Sequence, residues 1–306
     1  VSTIPDLVGI GSVFIDDIVL PDGRTYMARL GGGVVHAMMG AAVWGVQPGL
    51  LAVIGNDLPA AIRKSLEACC DTSGLIELAI PQMRAWQIFE HNGQRREIYR
   101  VQVLEPFFHG PHPDHMSAAY HASRGHYLLQ DFDGIRRWAP HLHGIVFWEP
   151  LQQCMVAGQR EAMRRVLQDC RVTCLSPNLL EASAVYGNHT ADELVTLMLD
   201  DGADVVALRM GEMGSIVTAR QTGERVYMPA VEVPSVLDQT GAGNTYCGAL
   251  LWGLLQPDQP LRQAAAYAAV SASFCIETIG ALTPASVSLE EREQRLQQAL
   301  ALAQGH

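Results

Sequence analysis

Lysine is all but missing from this chain: Lys64 is the only one in 306 residues. It falls in a helical stretch with no glycine loop before it, so mechanisms that grip phosphate with a phosphate-loop or cradle-strand lysine lack their residue. Any phosphate bound here is held by arginine and backbone. Positive charge is scarce throughout, with 21 Lys+Arg against 32 Asp+Glu and a net charge of −11. Nucleic acid is excluded as the principal partner, because phosphate neutralisation needs clustered cations. No apolar run approaches the roughly 20 residues of a membrane span, and positions 1–6 show no charged-then-apolar signal pattern. The sequence therefore reads as cytoplasmic, with no membrane partner. Seven cysteines fall in no metal or redox spacing and read as free thiols. Gly9-x-Gly11-x-x-Phe14 lacks the third glycine of a dinucleotide fingerprint. His109, His112 and His115 recur every three residues, but the prolines between them break a helix and no cysteine lies nearby. A loop, not a zinc site, is expected there.

What the chain does have is apolar content, at 48%, enough for a large core in one domain spanning 1–306. Its most informative stretch is Asp238-Gln239-Thr240-Gly241-Ala242-Gly243-Asn244, followed by small and apolar residues to position 255. This pattern predicts a glycine turn opening a buried helix. The free N–H groups of such a helix start, with the positive end of the dipole behind them, form an anion site.

From position 125 onward strand and helix patterns alternate, which predicts a parallel sheet covered on both faces. Ligands of such sheets gather beyond the carboxyl ends of the strands. Earlier, 12–30 and 84–104 read as hairpin segments; the second turns at His91-Asn92-Gly93-Gln94. Helices are expected over 34–44, 60–70, 135–142, 155–169, 261–276 and 289–303, and a strand over 171–176.

The run Asp-x-Thr-Gly-Ala-Gly-x-x-x-x-Gly-Ala over 238–249 resembles the C-terminal motif of the ribokinase/PfkB family of carbohydrate and nucleoside kinases. Four weaker motifs follow the family's order: Gly11-Ser12 with Asp16, Gly31-Gly32-Gly33 before a small-residue helix, Asn178-x-x-Glu181, and Gly211-Glu212-x-Gly214 after a strand. The resemblance covers essentially the whole chain. It implies a ribokinase-like, doubly wound α/β fold with a mostly parallel sheet, helices on both faces and a small β-sheet lid. The function it implies is ATP- and Mg²⁺-dependent phosphotransfer to a hydroxyl of a sugar or nucleoside. By the same resemblance, Asp16, Gly32, Gly33 and His36 hold the acceptor; Thr240, Arg209, Gly211, Gly214 and Asn178 serve the nucleotide; Asn178 and Glu181 organise the metal; and Gly241, Ala242, Gly243 and Asn244 form the catalytic corner. Exposed edge strands in the lid invite a homodimer.

Each assignment has a plainer reading. Asp16 can be a turn acid, Asn-x-x-Glu is also a capping pattern, and His36 can be a buried helix residue satisfied by backbone. Two positions depart from the family. His36 stands where asparagine is usual, and Asn244 replaces the aspartate that takes the acceptor's proton; an amide has no basic site near neutral pH. Three readings follow: a divergent, slower kinase whose proton goes to Asp16 or neutral His36; a non-catalytic binder of sugar or nucleotide; or an engineered Asp-to-Asn inactive form of an active kinase.

Overall fold

The apolar runs that punctuate the sequence become strands buried on both faces, and the small-residue stretches between them become the helices that cover those strands. The computed structural model describes residues 4–91 and 95–305. The amino-terminal part runs β1 (Leu7–Ser12), β2 (Phe14–Val19), β3 (Thr25–Gly31), α1 (Gly33–Ala42), β4 (Gly49–Gly55), α2 (Ala60–Glu67), β5 (Leu75–Leu78), β6 (Arg84–Phe89) and β7 (Arg95–Tyr99). Next come α3 (Glu105–His109), α4 (Ala118–His121), β8 (Gly125–Gln130), α5 (Phe132–Trp138), β9 (Ile145–Pro150), α6 (Arg160–Asp169), β10 (Cys174–Leu175), α7 (Leu179–Tyr186) and α8 (Ala191–Asp201). The chain closes with β11 (Val205–Arg209), β12 (Ser215–Ala219), β13 (Arg225–Met228), α9 (Ala242–Leu254), α10 (Leu261–Ile276), α11 (Leu289–Leu302) and β14 (Gln304–Gly305).

The large sheet has ten strands in the order β14-β13-β12-β11-β10-β9-β8-β1-β4-β5. From β11 to β5 every pairing is parallel, while β12, β13 and β14 add on antiparallel. One core lies between the sheet and α1, α2, α9, α10 and α11. A second lies under α5 to α8 on the other face. The winding reverses at β1, between β4 and β8, so the crevice outside the carboxyl ends of β1 and β8 is where this topology collects ligands.

Helices α1 and α9 touch backbone to backbone beneath that crevice. A Cβ at Gly40 would overlap the Thr245 carbonyl oxygen, and one at Gly248 would overlap that of Ala37. Only glycine admits this approach.

A second sheet, β3-β2-β6-β7, covers the crevice as a lid. It is mixed: β3 and β7 pair antiparallel at its edges, but β6 runs parallel to β2. A bulge in β2 between Asp16 and Ile18 separates the work of two neighbouring acids. Asp17 ion-pairs with Arg100 and accepts from the Ala28 N–H at 2.7 Å, fixing Ala28 at φ 52°. Asp16 is left facing the crevice.

Several expected elements differ. The lid ends at Tyr99, short of 104, because Leu104 caps α3. The Pro-His stretch, expected as a loop, contains α3 and a 3₁₀ turn at Pro113–His115, each with a proline at its start, where the missing N–H costs nothing; no regular helix spans His109 to His115. Helix α6 starts at Arg160, β10 shrinks to two residues, and α5 gives way to a 3₁₀ turn at Ala139–His141. The turn residues Asn92, Gly93 and Gln94 lie outside the described residues. No described helix is long and apolar enough to cross a membrane.

Candidate active site

Residue Gly241 caps α9 in the left-handed region, at φ 74°, so that the chain turns sharply out of the preceding extended segment. Asp238 braces the turn. Its buried carboxylate accepts from the N–H of Thr240 at 2.9 Å and from that of Gly280 at 3.0 Å. Beneath the turn lies the His36 ring; a Cβ on Gly241 would overlap it. Beneath Gly243 lies the Arg209 guanidinium, where a Cβ would overlap Nη1. Glycine at both positions is thus a requirement of space as well as conformation.

Two cavities meet at this corner. One, of about 620 Å³, is lined by Asp16, Gly32, Gly33, His36, Thr240, Gly241 and Asn244 together with Glu149 and Glu181. The other, of about 540 Å³, is lined by Arg209, Gly211, Gly214, Ala242 and Gly243 with the apolar side chains of Met228, Val231, Val236 and Ile276. Every residue expected to hold the acceptor lies in the first cavity. Of those expected at the nucleotide, Arg209, Gly211 and Gly214 lie in the second, whereas Thr240 faces the first. Asn178 borders neither cavity.

Asn178 and Glu181 form a reciprocal capping box at the start of α7: Glu181 N–H donates to Asn178 Oδ1 at 2.9 Å, and Asn178 N–H to Glu181 Oε2 at 2.8 Å. The capping reading of this pair is realised. A second role falls to Glu181 alone, whose remaining oxygen is free of protein hydrogen bonds at the cavity wall. Burial pushes its carboxyl up, with partial relief from Arg209 at 3.9 Å. Among the described residues no three acids, histidines or cysteines cluster as a metal cage.

In the first cavity Asp16 accepts from Gln87 Nε2 at 3.1 Å, and Gln87 also donates to Glu97 at 2.8 Å. Burial pushes the Asp16 carboxyl up to about 7, so that it titrates near neutrality. His36 is buried with neither ring nitrogen partnered by protein, and burial lowers it to about 4, leaving a neutral ring with one donor and one acceptor. The expectation of backbone satisfaction for His36 fails. Phe14, Tyr99, Phe107 and Phe108 close the cavity from the lid side, with Tyr99 and Phe108 edge to face at 5.1 Å. Ser12 holds α3 over the crevice by donating to the Phe107 carbonyl at 2.7 Å.

Sequence reasoning missed Glu149 and Tyr127. Glu149 ends β9, 5% exposed, and its carboxylate pairs with Arg209 at 2.9 Å. It also accepts from Tyr127 at 2.6 Å and from Asn244 Nδ2 at 3.0 Å. An acid at the carboxyl end of a parallel strand was a signal available in the sequence. Burial, the largest single influence, would favour neutral Arg209, but Glu149, Cys247, Glu181 and Tyr127 together outweigh it and raise the group, so the guanidinium stays charged. Its Nη2 also donates to the Ser176 carbonyl at 2.9 Å. A fixed cation under a helix start whose N–H groups face outward suits a phosphoryl group in transfer.

The fold and corner define a ribokinase-type scaffold, and comparison with known proteins agrees. Residues 149–287 match the model of the pfkB family carbohydrate kinases. A curated cytidine kinase of Thermococcus kodakarensis is 26% identical over 255 residues, which is 81% of this chain and 88% of that protein. A structure described as ribokinase II of E. coli, in complex with ATP and Mg²⁺, superposes with a TM-score of 0.77 at 16% identity, covering 96% of this chain and 99% of that one. The nucleoside kinase of Burkholderia thailandensis, in complex with inosine, superposes at 0.74 and 17% identity, covering 96% and 97%. By these matches the chain is similar to pfkB-type carbohydrate and nucleoside kinases, and its fold is ribokinase-like.

Proposed function

We propose that this protein transfers the γ-phosphoryl group of ATP to a hydroxyl of a nucleoside. One observation carries the reading: the Gly-Ala-Gly corner lines both cavities, Gly241 the first and Ala242 and Gly243 the second, and a buried arginine lies under it. The second cavity, apolar apart from its mouth, suits a flat base, with the phosphates directed at Ala242, Gly243 and Arg209. The first suits an acceptor whose hydroxyls meet Asp16, His36 and Asn244. Its aromatic lid favours a nucleoside over a bare sugar, because Phe14, Tyr99 and Phe108 offer stacking surface that a sugar alone leaves exposed. Cytidine and inosine, in the names of the two nucleoside-kinase relatives, are of this class.

A Mg²⁺ ion fits the donor set in a limited way. Such an ion is usually held by one or two carboxylates plus phosphates and water, and Glu181 has one uncommitted carboxylate oxygen at the cavity wall. When bound, the ion would neutralise charge on the ATP phosphates. Arg209 and the α9 N–H groups orient and stabilise the transferring group, and the lid excludes water. Phosphoryl transfer depends mostly on such positioning and charge.

The amide at 244 favours a second reading, a binder of nucleoside or nucleotide without turnover. Incubation with ATP·Mg²⁺ and a panel of pentoses, hexoses and nucleosides separates the two. Nucleoside monophosphate formation supports the kinase; saturable nucleoside binding with no product supports the binder. The exposed lid edges, with Met27 at 49% and Ile98 at 50%, support a homodimer through the lid, which sedimentation of the intact protein tests.

A further inference from the structure

The acid that position 244 lacks is 3.0 Å away. Asn244 uses both of its amide hydrogens on neighbours, donating to Glu149 Oε2 at 3.0 Å and to the Tyr127 hydroxyl at 3.2 Å. Tyr127 donates in turn to the same Glu149 oxygen at 2.6 Å. An aspartate at 244 would meet that oxygen with an acceptor in place of a donor. Two carboxylates at this separation cannot both ionise. Position 244 and Glu149 are therefore matched as amide and acid, and the match runs to Arg209, whose Nη2 neutralises Glu149 at 2.9 Å while Nη1 lies against Gly243. The charged or titratable groups around Glu149 are Tyr127, Arg209, Cys247 and, beyond Arg209, Glu181.

Building on the kinase reading, we propose that the general base of this corner is Glu149, with Asn244 as its positioning partner. Glu149 is in the acceptor cavity wall alongside Asn244, Gly33 and Gly241. The acceptor O–H bond breaks and its proton passes to the Glu149 carboxylate. The same oxygen forms a bond to the γ-phosphorus of ATP, the bond from that phosphorus to the β,γ-bridging oxygen breaks, and its electron pair leaves on ADP. Glu149 then returns the proton to solvent. The arriving phosphoryl charge competes for Arg209, so a loaded nucleotide loosens the ion pair that occupies the Glu149 carboxylate. Proton acceptance is thereby tied to the presence of the phosphoryl donor. Asn244, its amide hydrogens committed, keeps a carbonyl oxygen for the acceptor hydroxyl.

The test compares the native protein with Glu149→Gln, Asn244→Asp and the double variant, reading turnover of ATP·Mg²⁺ with nucleosides and thermal melting. Glu149→Gln should lower kcat by about 10²–10⁴-fold with little change in acceptor KM. Asn244→Asp should lower both turnover and melting temperature, because two acids now share one site. The double variant, again one acid and one amide, should exceed both single variants in turnover and exceed Asn244→Asp in melting temperature. An active native enzyme whose Glu149→Gln form is unimpaired overturns the inference, as does an Asn244→Asp form faster than native. If Glu149→Gln does not fold, a double variant no better than Asn244→Asp overturns it equally. A native protein inert with every nucleoside, yet showing the melting rescue, overturns the kinase reading and the proton-accepting role with it.

Discussion

The two cavities that meet at residue 241 are built from opposite materials. On the proposed nucleotide side the walls are mostly glycine, alanine and aliphatic side chains, with Ser215, Ser273, Gln239 and Tyr246 among them and Arg209 and Glu212 supplying the charge. On the acceptor side the walls carry acids, amides, a histidine and four aromatics drawn from β1, β2, α1, the lid and three strand ends. A site that binds one common donor can rely on shape and backbone N–H groups, whereas a site that must choose among alcohols needs side chains with directional hydrogen bonds. The two departures from the family pattern, His36 and Asn244, both border the acceptor side. On the proposed reading, both lie in the half that selects.

This contrast can be broken most severely at the corner the two cavities share. Gly243→Val forces a side chain into Arg209, and turnover should drop by about 10³-fold, the scale of losing a main oxyanion donor, while thermal melting shows the fold retained. Next in size is Asp16→Asn. Replacing a carboxyl that meets substrate hydroxyls should raise acceptor KM by roughly 10–100-fold and leave ATP KM unchanged. The converse is Ala272→Phe, which fills the apolar cavity: ATP KM should rise by about 10-fold while acceptor KM holds. A variant of either kind that moves both constants equally would erase the division of labour.

The smallest effects are in stability against pH, and there the two buried acceptor-side groups oppose each other. Asp16 rises from 3.8 to about 7 on folding, so between those values the native state holds a proton that the unfolded chain has lost, and stability falls as pH rises. His36 drops from 6.5 to about 4, so across that window the unfolded chain binds the extra proton and stability rises with pH. Denaturant midpoints of Asp16→Asn should climb more steeply with pH than native between pH 4 and 6.5; those of His36→Gln should climb less.

Legibility in the sequence divides along the same line. The nucleotide side and the corner were readable because glycines there answer local demands of turn and space, and local demands leave short motifs. The helix over 261–276 was placed to the residue, since its small apolar pattern is unbroken. The first cavity was legible only where its lining sits in or beside motifs, as at Asp16, Gly33, His36, Glu181 and Asn244. Glu149 and Tyr127 escaped because their role comes from β8 and β9 pairing parallel and presenting both side chains to a helix more than 90 residues away. The antiparallel β12 and β13 were missed for a related reason: edge pairing is set by neighbours, not by composition.

The glycines at 40 and 248 have a dynamic consequence. With α1 and α9 in backbone contact, and the Thr245 hydroxyl donating to the His36 carbonyl at 3.2 Å, no cushion of side chains remains over which the two helices can slide. The floor of the acceptor pocket and the phosphate corner must therefore travel as one rigid piece. Any closing movement of this molecule is a swing of the lid about its connections to β1, α1, β5 and α3, so on the proposed reading the distance from acceptor hydroxyl to phosphorus is set before the lid shuts.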